Sequence, residues 1–178
     1  MTKKNTDDSQ CPQSVYFRTI THLTTHIFIP LSLSISLSLS ITNKNIILIK
    51  GYDDGVGKAS IVLKALKLVS SDLLDNKNIV IYSADSGIKK QVEDSIMLSA
   101  LNITIHSRYT FIKNEDLLSL MGKSCIHIAN SLSDGMPNAL LEAMAMGAFP
   151  IQSNPGAVTE EIIENGKNGF LINNPDSV

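Results

Sequence analysis

Glu142 lies inside an apolar run, Ala139-Leu-Leu-Glu-Ala-Met-Ala-Met-Gly147. A carboxylate in such surroundings is costly unless something pairs with it. Pro137 suits a first helical position and Gly147 a C-terminal stop, so the run reads as a helix of about ten residues. Its apolar residues leave no solvent face, which predicts a buried helix. Asn138 lies four residues before Glu142, and Asp134 four before that. The i, i+4 spacing stacks Asn138 and Glu142 along one edge near the helix start, with Asp134 just ahead. Free backbone N–H groups and the positive end of the helix dipole gather at the same place. Two carboxylates beside an anion-binding helix end suit a ligand that carries both hydroxyls and phosphate. Two plainer readings stand beside this one. Asp134 caps the helix, or Glu142 bonds the backbone of a neighbouring loop.

A second candidate is the glycine-rich stretch Gly51-Tyr-Asp-Asp-Gly-Val-Gly-Lys-Ala-Ser60. It misses the phosphate loop of nucleoside triphosphatases, because Gly51 stands one residue too far from Gly57-Lys58. Ala59 also occupies the position that needs a magnesium-binding hydroxyl. It half-fits a dinucleotide fingerprint as Gly55-x-Gly57-x-x-Ser60, with Asp85 after the next strand as a ribose ligand. A glycine-containing turn entering a helix explains it equally well. A cation, Lys58, at a helix start is common to every reading.

These residues must be held by regular elements, and from Asn45 onward the pattern supplies them. Short β-rich runs occur at 46–50, 78–83, 103–106, 125–129, 149–153 and 169–172. Helical patterns lie between them, at 56–71, 87–101, 114–122, 138–146 and 158–165. In the first, Ile61, Ala65, Leu68 and Val69 recur at helical spacing. Such alternation predicts an α/β fold, a doubly wound, Rossmann-like parallel sheet. Ligands on these sheets bind beyond the carboxyl ends of the strands. The loops 51–58, 130–138 and 153–160 carry the polar and glycine-rich residues at that edge.

Composition excludes other classes. A net charge of −2, a pI near 6.0 and only two arginines, Arg18 and Arg108, give no basic surface for nucleic acid. Cys11 and Cys125 fit no metal or redox spacing, and Cys125 reads as a reduced core thiol. No zinc spacing appears, and His106 and His127 fall in or at the ends of strands, as structural residues do. The Gly-x-Ser-x-Gly elbow of serine hydrolases is missing. A cytoplasmic location is the default, with peripheral attachment to a membrane left open.

The first 44 residues differ from the rest. Residues 1–14 are polar and charged and read as disordered. Residues 27–42 form a low-complexity run in which Leu or Ile alternates with Ser, too short and too rich in Ser to span a bilayer as a helix. No cleavage pattern of a signal peptide follows it. The alternation matches a strand period, an edge strand or an aggregation-prone tail. A CT dinucleotide repeat also translates as alternating Leu and Ser, so the segment is further read as sequence that is not genuinely coding. The chain thus divides into a low-complexity segment, 1–44, and a folded domain, 45–178.

Several pieces in order resemble the nucleotide-sugar-binding C-terminal domain of family 4 glycosyltransferases, which have the GT-B fold. They are Ile47-Leu-Ile-Lys-Gly51 with Lys58, Ser131-Leu-Ser-Asp-Gly135, Leu140-Leu-Glu-Ala-Met-Ala-Met-Gly147, Ser153-Asn-Pro-Gly-Ala-Val-Thr-Glu160 and Ile163-Glu-Asn-Gly-Lys-Asn-Gly-Phe-Leu-Ile172. The similarity covers about three quarters of the chain, and Asp134 and Glu142 reproduce the family's two acidic residues separated by seven positions. The resemblance implies that Glu142 holds the nucleotide's ribose hydroxyls and that Asp134, where the family usually has Glu, orients the donor sugar. Backbone N–H groups at Asn138 and Ala139 would bind the diphosphate, and Lys58 would offset charge on the leaving group. Gly51, Gly135, Gly156 and Glu160 would line the donor pocket. Catalytic roles thus fall to Asp134 and Lys58, and donor binding to the others. Transfer would retain anomeric configuration, with no metal and no cofactor beyond the donor.

Two departures accompany the match: Tyr52 stands where many members have Arg, a loss of one phosphate cation unless Lys50 or a backbone group substitutes, and Asp134 is one methylene shorter than the usual Glu. In the family the acceptor site lies on an N-terminal domain that has no counterpart in the first 44 residues. The chain is therefore expected to be a donor-binding fragment that binds nucleotide sugar weakly and transfers it poorly, with the acceptor unidentified. The rival readings are an NAD(P)-binding oxidoreductase domain on the same kind of sheet and a non-catalytic nucleotide-binding module.

Overall fold

The computed structural model describes residues 44–178. Residues 1–14, expected to be disordered, the Leu/Ser run and Cys11 lie outside the described residues. Six parallel strands form one sheet: β1 (Ile46–Lys50), β2 (Asn78–Ala84), β3 (Ile103–Ser107), β4 (Ser124–Ala129), β5 (Phe149–Ser153) and β6 (Phe170–Ile172). Their order is β3-β2-β1-β4-β5-β6. The chain winds outward from β1 to β3, returns, and winds outward again on the other side. The direction therefore switches between β1 and β4, where doubly wound sheets open a ligand crevice.

The strands are apolar on both faces because helices cover both. On one face Ile47, Ile49, Ile79 and Ile81 pack with Val62, Leu63 and Leu66 of α1 (Ala59–Leu66). Leu74 of α2 (Ser71–Leu74), Ile88 of α3 (Ser86–Glu93) and Leu98 of α4 (Ile96–Ser99) complete that layer. On the other face Ile46, Leu48, Val80 and Tyr82 meet Met121 of α5 (Asn114–Lys123) and Ala143 of α6 (Asn138–Ala145). Cys125 is buried beneath the first face, as expected of a core thiol.

The helices depart from the sequence pattern in four places. The 56–71 pattern starts at Ala59, because the residues before it form the glycine turn, and breaks after Leu66. The 87–101 pattern divides at Ser95, whose hydroxyl accepts the Leu98 N–H at 3.4 Å and so opens a new helical turn. The helix expected over 158–165 is replaced by two 3₁₀ turns, Pro155–Ala157 and Thr159–Glu161. There Asn154 Oδ1 takes the Thr159 N–H and Asn168 Oδ1 takes the Glu164 N–H, so side chains outcompete the helical ladder. Finally, α6 is not buried all round: Leu140, Ala143 and Met144 are buried, Leu141, Glu142 and Ala145 are half-buried, and Asn138 is exposed.

Both ends of α6 are fixed. Pro137 sits at the N-cap rather than the first helical position. At the other end Gly147 takes φ +77°, a left-handed value that favours glycine. The Gly147 N–H bonds Met144 O and the Ala148 N–H bonds Ala143 O, both at 2.9 Å, closing the helix in a Schellman arrangement. Lys44 then donates from Nζ to Met146 O at 2.9 Å and to Gly147 O at 2.8 Å, a cation on the last carbonyls of the helix. Lys44→Ala is expected to cost about 1 kcal/mol and to lower Tm by about 3–5 °C, read in a thermal melt; an unchanged Tm would remove this cap from the account.

Candidate functional site

The three carboxyl-edge loops are tied to one another by backbone. Gly57 and Ser131 form an antiparallel bridge, the Leu132 N–H donates to Val56 O at 2.9 Å, and the Lys58 N–H donates to Asn130 O at 2.9 Å. The Ser131 N–H bonds Ser153 Oγ at 3.0 Å, which joins the third loop. Two glycines permit this approach. A Cβ on Gly51 would lie 2.6 Å from Ala84 Cα, and one on Gly57 would lie 2.4 Å from Tyr52 O. Their smallness serves backbone packing.

The start of α6 opens onto this edge. Its N-cap makes no side-chain bond, so Asp134 does not cap the helix, and the N–H groups of Asn138 and Ala139 have no acceptor among the described residues. Asp134 instead faces Lys50 at the end of β1, with Oδ2 3.8 Å from Nζ. Glu142, one turn into the helix, is half-buried, and its carboxylate makes no hydrogen bond or ion pair among the described residues. The alternative in which a neighbouring loop's backbone satisfies it does not hold. Gly135 is exposed beside Asp134. Gly156 is exposed in the third loop with φ +66°, and Glu160 accepts from Asn154 Nδ2 at 3.0 Å.

The start of α1 differs. The Ala59 N–H bonds Tyr52 O at 3.0 Å and the Ser60 N–H bonds Asp53 Oδ1 at 3.0 Å, so the protein itself fills this helix end. Lys58 is half-buried at its N-cap, and its ammonium meets Asp176 at 2.8 Å. Asp85, the ribose ligand of a dinucleotide reading, is also committed. Its Oδ2 accepts the Asp53 N–H at 2.7 Å and its Oδ1 accepts from Arg108 at 2.8 Å. Arg108 also reaches Asp54 at 3.5 Å, and this contact, second to the Gly57 N–H, holds the Asp54 carboxyl below its ordinary range. The Tyr52 ring lies between two cations, Arg108 Cζ at 4.5 Å and Lys50 Nζ at 4.9 Å from its centroid.

Under the site sits a buried polar pair, Tyr82 Oη and His127 Nε2, 3.0 Å apart. Burial raises the Tyr82 phenol well above its usual range, helped by the nearby carboxylates of Glu142 and Asp134. Burial, then the positive charge of Lys50, lowers His127 to about 4. At neutral pH the pair is uncharged.

Asp134, Gly135, Asn138, Ala139 and Glu142 thus lie along one short stretch entering α6, and Gly51 and Lys58 lie in the loop bridged to it. Gly156 and Glu160 lie on the third loop. Lys50, the substitute expected for the arginine that Tyr52 replaces, does stand at this edge, beside Asp134. Arg108 and Asp176 were missed as charges here, although Arg108 had its rarity as a signal. Asp176 had none.

Among the described residues no helix is long and apolar enough to cross a membrane, and no cluster of His, Cys, Asp and Glu could hold a metal ion. No curated protein matches the sequence. Among solved structures, the C-terminal domain of the group 1 family glycosyl transferase LpcC of Francisella tularensis superposes with TM-score 0.59 at 22% identity, over 79% of this chain and 72% of that one. The pneumococcal O-GlcNAc transferase GtfA, solved with UDP and GlcNAc, gives 0.58 at 19% identity, over 75% of this chain and 26% of its own. Anabaena HepE, solved with UDP and glucose, gives 0.56 at 18%, over 92% and 41%. These identities speak for the fold, and the chain spans about a quarter of GtfA and two fifths of HepE. The sequence model described as glycosyl transferases group 1 matches residues 37–178, most of the chain. The chain belongs to the group 1 glycosyltransferases.

Proposed function

We propose that the carboxyl edge around α6 binds a nucleotide-diphosphate sugar, the donor for glycosyl transfer to an acceptor held by a further domain. One observation carries this reading: the half-buried Glu142 carboxylate has no protein partner among the described residues and lies one turn from two open backbone N–H groups. A carboxylate in that position suits a pair of vicinal hydroxyls, as on a ribose. Open N–H groups at a helix start suit the diphosphate next to it. Lys58 offsets charge that grows on the departing diphosphate once it exchanges Asp176 for the ligand. Together with the N–H groups it supplies the neutralisation a divalent metal would otherwise give. Asp134 orients the sugar, Gly135 and Gly156 let the ligand approach the backbone, Gly51 lines the pocket through its main chain, and Glu160 closes the third loop. Transfer proceeds with retention, as the resemblance to family 4 enzymes implies.

The oxidoreductase reading has less to stand on, since Asp85 and the α1 start are already occupied by protein groups. A thermal-shift screen separates the two. The 178-residue chain is expected to be stabilised by at least one of UDP, GDP and ADP, UDP being the nucleotide solved with two structural neighbours. At a hundredfold excess over Kd the gain is about 2.7 kcal/mol, a shift of several degrees. Stabilisation by NAD alone, or by none of the nucleotides, contradicts the reading.

A further inference from the structure

We infer that Lys50, at the carboxyl end of β1, is a second phosphate-contacting cation of the site, a role that rests on the donor-binding reading above. Three cations stand at this edge, and two are committed. Lys58 Nζ lies 2.8 Å from Asp176 Oδ1, and Arg108 lies 2.8 Å from Asp85 and 3.5 Å from Asp54. Lys50 is held differently. Its nearest carboxylate, Asp134, is 3.8 Å away, too far for a hydrogen bond, and its other neighbour is the face of Tyr52 at 4.9 Å. An ammonium carries three N–H donors, and those of Lys50 have no hydrogen-bond acceptor among the described residues. The side chain is 24% exposed, so much of its stem is packed while its donors stay open.

Its place follows from the strand. Side chains alternate across a sheet, so Lys50 shares a face with Ile46 and Leu48, the face on which α6 packs. Its register partner is Tyr82, whose hydroxyl meets His127, and its ion-pair partner Asp134 leads into α6. Lys50 is therefore on the same side of the sheet as Glu142 and the open N–H groups, at the end of the strand where the winding switches. Lys58 reaches that crevice from the glycine turn. Two cations from separate elements give a diphosphate one charge for each phosphate, and the Tyr52 face beside Lys50 offers its ammonium no hydrogen-bond acceptor that would compete. A sugar engaging Asp134 would loosen that pair further and free Lys50 for the phosphate.

The test is calorimetric titration of UDP, GDP and ADP into the full chain, compared among wild type, Lys50→Met, Lys50→Arg and Lys58→Met. Lys50→Met is expected to weaken binding of the favoured nucleotide by about tenfold or more. Lys50→Arg should restore most of it, and the decline of affinity with added salt should be shallower for Lys50→Met than for wild type. The corresponding nucleoside, with no phosphate, should bind both proteins alike. Lys50→Gln, which keeps a polar head beside Asp134, provides the same comparison if Lys50→Met does not fold. Binding by Lys50→Met or Lys50→Gln within twofold of wild type, while Lys58→Met and Glu142→Gln are weakened, overturns the role of Lys50 and leaves the donor site standing. Failure of wild type to bind any of the three nucleotides overturns the site and this role together.

Discussion

Glu142→Gln is expected to weaken binding of the favoured nucleotide among UDP, GDP and ADP by roughly a hundredfold while leaving Tm unchanged. The carboxylate is proposed to accept two hydrogen bonds from a ribose diol. Bonds to a charged acceptor contribute about 1.5–3 kcal/mol each, and the amide keeps one weakened acceptor in nearly the same volume. A net loss of about 3 kcal/mol is roughly a hundredfold in affinity. Stability is expected to be unaffected. Glu142 makes no hydrogen bond or ion pair among the described residues and lies near Tyr82 in a setting it shares with Asp134. Removing its charge breaks no contact, as happens where function rather than stability selects a residue. A marked fall in Tm with nucleotide affinity intact would make Glu142 a structural residue. Titration and a thermal melt on one sample decide between these outcomes.

The second large effect is acid destabilisation through His127. Its imidazole is fully buried, and burial with the nearby Lys50 charge lowers its pKa from 6.5 to about 4. Between these values the unfolded chain binds a proton at this histidine that the folded chain does not. Stability at this group is therefore intact above pH 6.5 and lost as pH falls toward 4, with no further loss below. A shift of that size corresponds to about 3 kcal/mol. Urea unfolding at pH 7.5 and at pH 4 should show this loss in wild type. In His127→Gln, which cannot titrate and still offers Tyr82 a partner, the acid loss should be smaller by about the same amount. Equal acid losses in the two proteins would place the titration elsewhere.

The strands were readable because burial on both faces makes each a continuous apolar run closed by polar residues. β1 and β5 fall at the residues the pattern marks, and the others differ by one residue at an end. The C-terminal stop of α6 was readable because Gly147 must adopt a left-handed backbone there. The region after β5 was misread for a physical reason. Its spacing is helical, but Asn154, Thr159 and Asn168 offer the backbone nearer partners than the next helical turn does. Glu142 stood out because a charge in an apolar run is locally anomalous. The partners of the other charges did not, since Lys50–Asp134, Lys58–Asp176 and Arg108–Asp85 join residues from separate elements. Only the winding of the sheet brings them together. The solvent-facing side of α6 was hidden by composition, because small and apolar residues there look like core.

The donor-site reading is tested most directly by a crystal structure of the chain with its favoured nucleotide among UDP, GDP and ADP bound. The predicted result is a ribose whose hydroxyls lie about 3 Å from the Glu142 carboxylate, with the diphosphate on the N–H groups of Asn138 and Ala139. A nucleotide seated at the glycine turn before α1, with Glu142 untouched, would contradict it.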